Sequence, residues 1–193
     1  GLVKGGFLIR INDMRPYLAL LRGINVAGKN IIRMFDLKAM FEDLGHTDVV
    51  TYLQSGNVVF KSTKKESCAK TASVLSKAIQ QRFQLDIPVL VITKKDVDHI
   101  VENNPFLKVE KTETAHCYVT FLFEPPATEQ LKRLVSPANE SGRFSSTGSE
   151  IYLHCPDGYG RTKINNQFFE KRLKTSATTR NWKTLLALQE LSH

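Results

Sequence analysis

Val49-Val50-Thr51-Tyr52-Leu53-Gln54-Ser55-Gly56-Asn57-Val58-Val59-Phe60-Lys61 is the stretch whose reading decides the fold. Two short runs rich in β-branched and aromatic residues flank Ser55-Gly56-Asn57, a tight-turn tripeptide. Residues 49–53 and 58–61 are therefore expected to be the arms of a hairpin or bulged bend. Upstream, Tyr17 to Arg22 is almost wholly apolar, as in a strand covered on both faces. Asp36 to Leu44 spaces Leu37, Met40, Phe41 and Leu44 three and four apart, an amphipathic helix ended by Gly45. Downstream, Glu66 to Phe83 sets Val74, Leu75, Ala78, Ile79 and Phe83 on one helical face, and Pro88 to Ile92 reads as another strand. The succession β-α-β-β-α-β across 14–93 is the split βαβ, or ferredoxin-like, unit.

The remainder repeats much of that pattern. Asp96 to Glu102 is a short helix stopped near Pro105, and Cys117 to Phe123 is a strand ended by Pro125 and Pro126. Thr128 is placed to cap a helix over 129–135. Arg143–Ser146 and Ile151–His154 are candidate strands. Asn165 to Leu173 buries Phe168, Phe169 and Leu173, and Thr184 to Leu191 closes the chain as a Leu-rich helix. The expected fold class is α+β: a ferredoxin-like subdomain over 14–93 and a second, smaller α+β subdomain over 94–193 with C-terminal helices. The two read as a divergent duplication. Residues 1–13 read as a lead-in or an expression remnant.

Composition narrows the function classes. With 193 residues and 41% hydrophobic content the chain can bury a real core. No apolar run approaches the roughly 20 residues that span a bilayer, so no membrane partner is expected. Cys68, Cys117 and Cys155 are widely spaced and lack CxxC, which argues against a disulfide framework or a zinc site and for a cytoplasmic protein. The five histidines are scattered. No HExxH, GxSxG or paired-carboxylate spacing occurs, so no catalytic group, metal or cofactor is legible. The formal charge of +8 is uneven: 14–93 holds 11 basic against 6 acidic side chains, 94–155 holds 7 against 9, and 156–193 holds 7 against 3.

The basic excess coincides with four polar clusters. The first, Arg22-Gly23-Ile24-Asn25-Val26-Ala27-Gly28-Lys29-Asn30, has the spacing G-x-x-x-x-G-K. Asn30 stands where a nucleotide-hydrolysing loop has Ser or Thr, and Ile31 to Met34 is extended where that loop needs a helix, which leaves a simple phosphate-cradling loop or a glycine-rich turn with a solvated Lys29. In the second, Gln54, Ser55 and Asn57 offer directional hydrogen bonds at a bend. In the third, Tyr159, Arg161, Lys163 and Asn165 precede a helix, where backbone N–H groups and the helix dipole favour anions. In the fourth, Thr178-Thr179-Arg180-Asn181-Trp182 enters the last helix, with Thr179 or Asn181 as its cap and the lone tryptophan either in the core or beneath Arg180.

Four stretches, LALLRGINVAGKN (18–30), DVVTYLQSGNVVF (48–60), IYLHCPDGYGRTKINN (151–166) and ATTRNWKTLLAL (177–188), resemble family 1697 of the domains of unknown function. The resemblance runs from residue 15 to about 191. Ala27 stands where the family usually has Gly, Leu53 for Ile and Thr162 for Ser, and none of these removes a charge or an amide. The resemblance implies a two-subdomain α+β fold, mostly bacterial, cytosolic proteins and no established activity.

Two function classes follow, with an interaction or scaffold protein that takes no small ligand as a third, bland possibility. In the first, the clusters converge on a basic cleft between the lobes and bind a small phosphate- or carboxylate-bearing ligand. Arg22, Lys29, Arg161, Lys163 and Arg180 would neutralise it, while Asn25, Asn30, Gln54, Ser55, Asn57, Tyr159, Asn165, Asn181 and Trp182 complete the site. In the second, less favoured because exposed-looking aromatics are scarce, the basic surface binds a nucleic-acid backbone.

Overall fold

Eight strands and seven helices form from the described residues, 14–108 and 113–193 of a computed structural model. The reading of 1–13 as a lead-in lies outside the described residues. The first sheet collects β1 (Arg15–Leu21), β2 (Thr47–Tyr52), β3 (Asn57–Ser62) and β4 (Val89–Thr93), with α1 (Met34–Asp43) after β1 and α2 (Cys68–Phe83) after β3. Its order is β2-β3-β1-β4, and every pairing is antiparallel. α3 (Lys94–Glu102) and α4 (Pro105–Lys108) lead to the second sheet of β5 (Cys117–Leu122), β6 (Arg143–Thr147), β7 (Glu150–His154) and β8 (Ala177–Asn181). α5 (Thr128–Lys132) and α6 (Asn166–Leu173) connect its strands, and α7 (Trp182–Leu191) follows β8. Its order, β6-β7-β5-β8, matches the first sheet position for position.

The α+β class therefore stands, with three differences from the sequence reading. Thr178 to Asn181, to which the sequence reading assigned no strand, belongs to β8, because pairing with β5 satisfies its backbone whatever its side chains are. The second sheet consequently has as many strands as the first and is not a smaller partner. Thr128 is the first residue of α5; Ala127 occupies the cap position without a side-chain bond, and the helix stops at Lys132.

Strand periodicity splits the interior into three layers. On β1, Ala19 and Leu21 face α1 and α2, packing with Leu37, Phe41, Leu75 and Ile79. Leu18 and Leu20 face the opposite way, into a middle layer shared with Val119, Phe121 and Tyr152 of the second sheet. That layer is filled from α3 by Val97 and Ile100 and from α7 by Trp182, Leu185 and Leu188. The outer face of the second sheet packs Leu122, Ile151 and Leu153 against Phe168, Phe169 and Leu173 of α6. Each buried Leu or Phe is worth about 1.5–3 kcal/mol. Because the middle layer draws on both halves, that stabilisation belongs to the pair of sheets jointly. Tyr152 adds a cross-tie, its hydroxyl donating to the carbonyl of Ile100 at 3.0 Å.

Candidate functional site

Arg22 leaves the C-terminal end of β1, and Arg180 points from β8 toward the first sheet. This is where the four clusters meet. Arg180 Nε donates to Asn57 Oδ1 at 2.5 Å, and Nη2 donates to the Leu21 carbonyl at 2.9 Å and, at 3.4 Å, to that of Gly56. Its Nη1 donates to Thr178 Oγ1 at 2.6 Å. Arg180 is 6% exposed, and the oxygens holding it are amide, hydroxyl and carbonyl groups. Burial, with the nearby charge of Arg22, lowers the guanidinium pKa to about 10. Arg22 Nη2 meets Glu170 Oε1 at 2.8 Å, while Arg22 Nε is buried without a hydrogen-bond partner. Glu170 in turn accepts the N–H of Ala177 through its other oxygen.

The local folds that present these groups are tightly specified. Gly56 has φ +87°, and a Cβ there would lie 2.8 Å from the side chains of both Leu21 and Ile24. Asn57 is fully buried, accepting from Arg180 and donating to the Tyr52 carbonyl and Ser55 Oγ. Asn25, at φ +54°, donates to the carbonyls of Ile32 and Gln54 and accepts the Ile32 N–H. Asn30 donates to the Gly23 carbonyl. Tyr159 donates to Thr179 Oγ1 at 3.2 Å and accepts the Asn166 N–H at 3.0 Å. Burial pushes its phenol pKa up, against the pull of those hydrogen bonds.

The folded chain thus brings the clusters together but spends most of their polar capacity on itself. Arg22 is neutralised by Glu170, and Arg180 is sealed between the sheets. Asn165 and Asn181 are helix caps, accepting from Phe168 N and Thr184 N. Thr179, the other cap candidate, lies within β8. Trp182 is 3% exposed in the middle layer, a packing residue. The expected cleft between the lobes is closed at this junction by Arg180 and its partners. Lys29, Gln54, Ser55 and Arg161 remain exposed. The helix after Lys29 begins at Met34, out of reach of the phosphate-loop arrangement.

Beside the junction lies a cavity of about 330 Å³, lined by Arg161, Thr162 and Lys163 on one side and by Asn139, Glu140 and Ser141 on the other. Cys155, Asp157 and Gly158 complete it. Lys163 Nζ donates to the Ala138 carbonyl, and its ammonium also faces the Glu140 carboxylate across the cavity. Glu140 accepts from Lys163 N at 2.6 Å, Gly142 N at 2.7 Å and Thr162 Oγ1 at 3.1 Å. Burial works against its charge, but those donors and the Lys163 ammonium hold its pKa below the ordinary value. Burial raises the Cys155 thiol to about 11, so it is protonated at neutral pH. Among the described residues no group of three or more His, Cys, Asp or Glu could hold a metal ion.

The sequence reading missed Glu140 and Glu170, both of which sit outside the clusters and act only through the fold. It also missed Phe35, which is 83% exposed on the first turn of α1. The signal for Phe35 was available: it falls off the stripe formed by Leu37, Met40 and Phe41.

Residues 14–152 match the family described as protein of unknown function (DUF1697), and the chain belongs to that family. No curated protein sequence matches it. Among solved structures, a conserved bacterial protein from Streptococcus pneumoniae is similar at a TM-score of 0.72 and 24% identity, over 93% of this chain and 99% of the other. At that identity the likeness concerns the fold alone. No helix among the described residues is long and apolar enough to cross a membrane.

Proposed function

We propose that this member of the DUF1697 family binds a small phosphate- or carboxylate-bearing ligand in the cavity beside Arg161 and Lys163. One observation carries the reading. Of the cations in the four clusters, Arg22 and Arg180 are consumed by the scaffold, whereas Arg161 and Lys163 line an open cavity of about 330 Å³. That volume suits a small metabolite. Gly158 and Gly160 allow close backbone approach, and Arg161 supplies a planar fork for an oxyanion. The site therefore lies on the second half, next to the junction and not within it. The three free thiols accord with a cytoplasmic setting.

The two halves read as ferredoxin-like subdomains related by divergent duplication. What supports this is their common β-α-β-β-α-β succession and equal strand order.

A thermal-shift titration with inorganic phosphate, sugar phosphates, nucleotides and dicarboxylates tests the ligand reading. A ligand bound by the native state alone raises Tm in proportion to RT ln(1 + [L]/Kd). At least one of these anions should raise Tm in the wild type and lose that effect in Arg161→Ala. Equal shifts in both proteins, or none in either, would overturn it. Oligonucleotide binding that weakens steeply with salt would favour the nucleic-acid alternative instead.

A further inference from the structure

We propose that the rim around Asn25 is a docking surface for an anionic lipid membrane. Four large apolar side chains stand in water there: Val26 at 59% exposure, Ile31 at 61%, Phe35 at 83% and Leu53 at 54%. Asn25 ties them into one place. Its side chain holds the backbone of Ile32 and of Gln54, so Val26, Ile31 and Leu53 are each chain neighbours of a residue in that hydrogen-bonded hub. Phe35 follows three residues after Ile32.

The loop that carries Val26 and leads into Ile31 is held in one shape. Gly23, Asn25, Ala27, Gly28 and Asn30 all have positive φ, and the loop is closed by Asn30 on the Gly23 carbonyl and by the Val26–Lys29 bridge. Two non-glycine residues besides Ala27 hold the left-handed region here, a conformation that persists only where surrounding bonds enforce it. A rigid loop that keeps apolar groups in water forgoes the burial that a softer loop would recover.

The occupant follows from shape and charge. With more than half their surface in water, these side chains project from the protein instead of lining a groove. Separate apolar projections enter the acyl boundary of a bilayer, which shapes itself around them. Lys29 is exposed on the same loop, Arg33 keeps 85% of its side chain in solvent while pairing with Asp36 at 3.3 Å, and residues 14–93 carry the 11-to-6 basic excess. Anionic headgroups complement that charge. The lack of a spanning segment bears on crossing a bilayer, not on lying against one, so the sequence-based expectation of no membrane partner does not reach this surface.

Co-sedimentation of the full chain with phosphatidylcholine–phosphatidylserine vesicles, at about a 7:3 ratio, tests the proposal. Wild type should sediment with these vesicles and bind pure phosphatidylcholine about tenfold more weakly or worse. Phe35→Ser and Ile31→Ser should each weaken binding by about tenfold. Lys29→Glu should lose affinity on serine-containing vesicles and not on neutral ones. Wild-type melting curves for the variants establish that they fold. Failure of the wild type to sediment, or undiminished binding by Phe35→Ser and Lys29→Glu, overturns the proposal. So does a wild-type dimer that Phe35→Ser converts to monomer in light scattering, since the rim would then belong to a second copy of the chain.

Discussion

Arg180 Nε donates to Asn57 Oδ1 at 2.5 Å, joining β8 of one sheet to β3 of the other across 123 positions of sequence. No carboxylate is among the acceptors that hold this guanidinium. A buried cation costs desolvation energy, which this network offsets with a full set of oriented acceptors. Removing either partner therefore loses more than one hydrogen bond, because the survivor is left unsatisfied.

Arg180→Ala should destabilise the protein by about 3 kcal/mol or more. In a double-mutant cycle with Asn57→Ala, urea unfolding should show a coupling of about 1–3 kcal/mol between the two sites. Additive effects would mean that the two side chains support the sheets separately.

Gly56→Ala should cost about 2–4 kcal/mol, since the new methyl meets Leu21 and Ile24 at 2.8 Å and the backbone has φ +87°. Gly45→Ala is the control. Its φ is +91°, but nothing lies within 4 Å of the added carbon, so about 1 kcal/mol is expected. Chemical denaturation of both variants separates the backbone contribution from the steric one.

Asn25→Ala removes the acceptor of the Ile32 N–H, bonded at 2.9 Å. Hydrogen exchange at that amide should accelerate by about tenfold or more while exchange in β1 and β3 stays slow. Exchange unchanged at Ile32 would show that the loop is held by something other than Asn25.

His46 gives a pH dependence. It is 4% exposed against Phe41 and Phe60, and its pKa is lowered by burial first and by Lys64 second, with Glu66 opposing. The unfolded chain takes up a proton near pH 6.5 while the folded chain resists, so the native state loses stability as pH falls through 6.5 toward the lowered value. Urea midpoints measured from pH 7.5 to 5 should fall more steeply for wild type than for His46→Gln, and parallel curves would exclude His46 as the source.

Much of the fold was legible in the sequence because its apolar spacing is regular. Leu37, Met40 and Phe41 declared α1, and Val58 to Phe60 declared β3. β8 was not legible: Thr178-Thr179-Arg180-Asn181 has no apolar alternation, and its place as an edge strand depends on β5, some sixty residues earlier. Convergence of the clusters could be inferred from their shared chemistry. Their self-satisfaction could not, because the partners of Arg22 and Arg180 lie 148 and 123 positions away. Asn165 and Asn181 show the same limit in miniature. A polar residue before a helix reads equally well as a ligand group or a cap, and here both are caps.

The middle layer has a consequence for biogenesis. Leu185 and Leu188 of α7 share that layer with Leu18 and Leu20 of β1. A nascent chain that has completed the first sheet still carries a bare greasy face on it, and cannot cover that face until translation has passed Leu188 and the ribosome tunnel has released it. Early fragments of this protein should accordingly be chaperone clients, and cutting the gene at the seam between the sheets should yield two pieces that stay in solution only when made together.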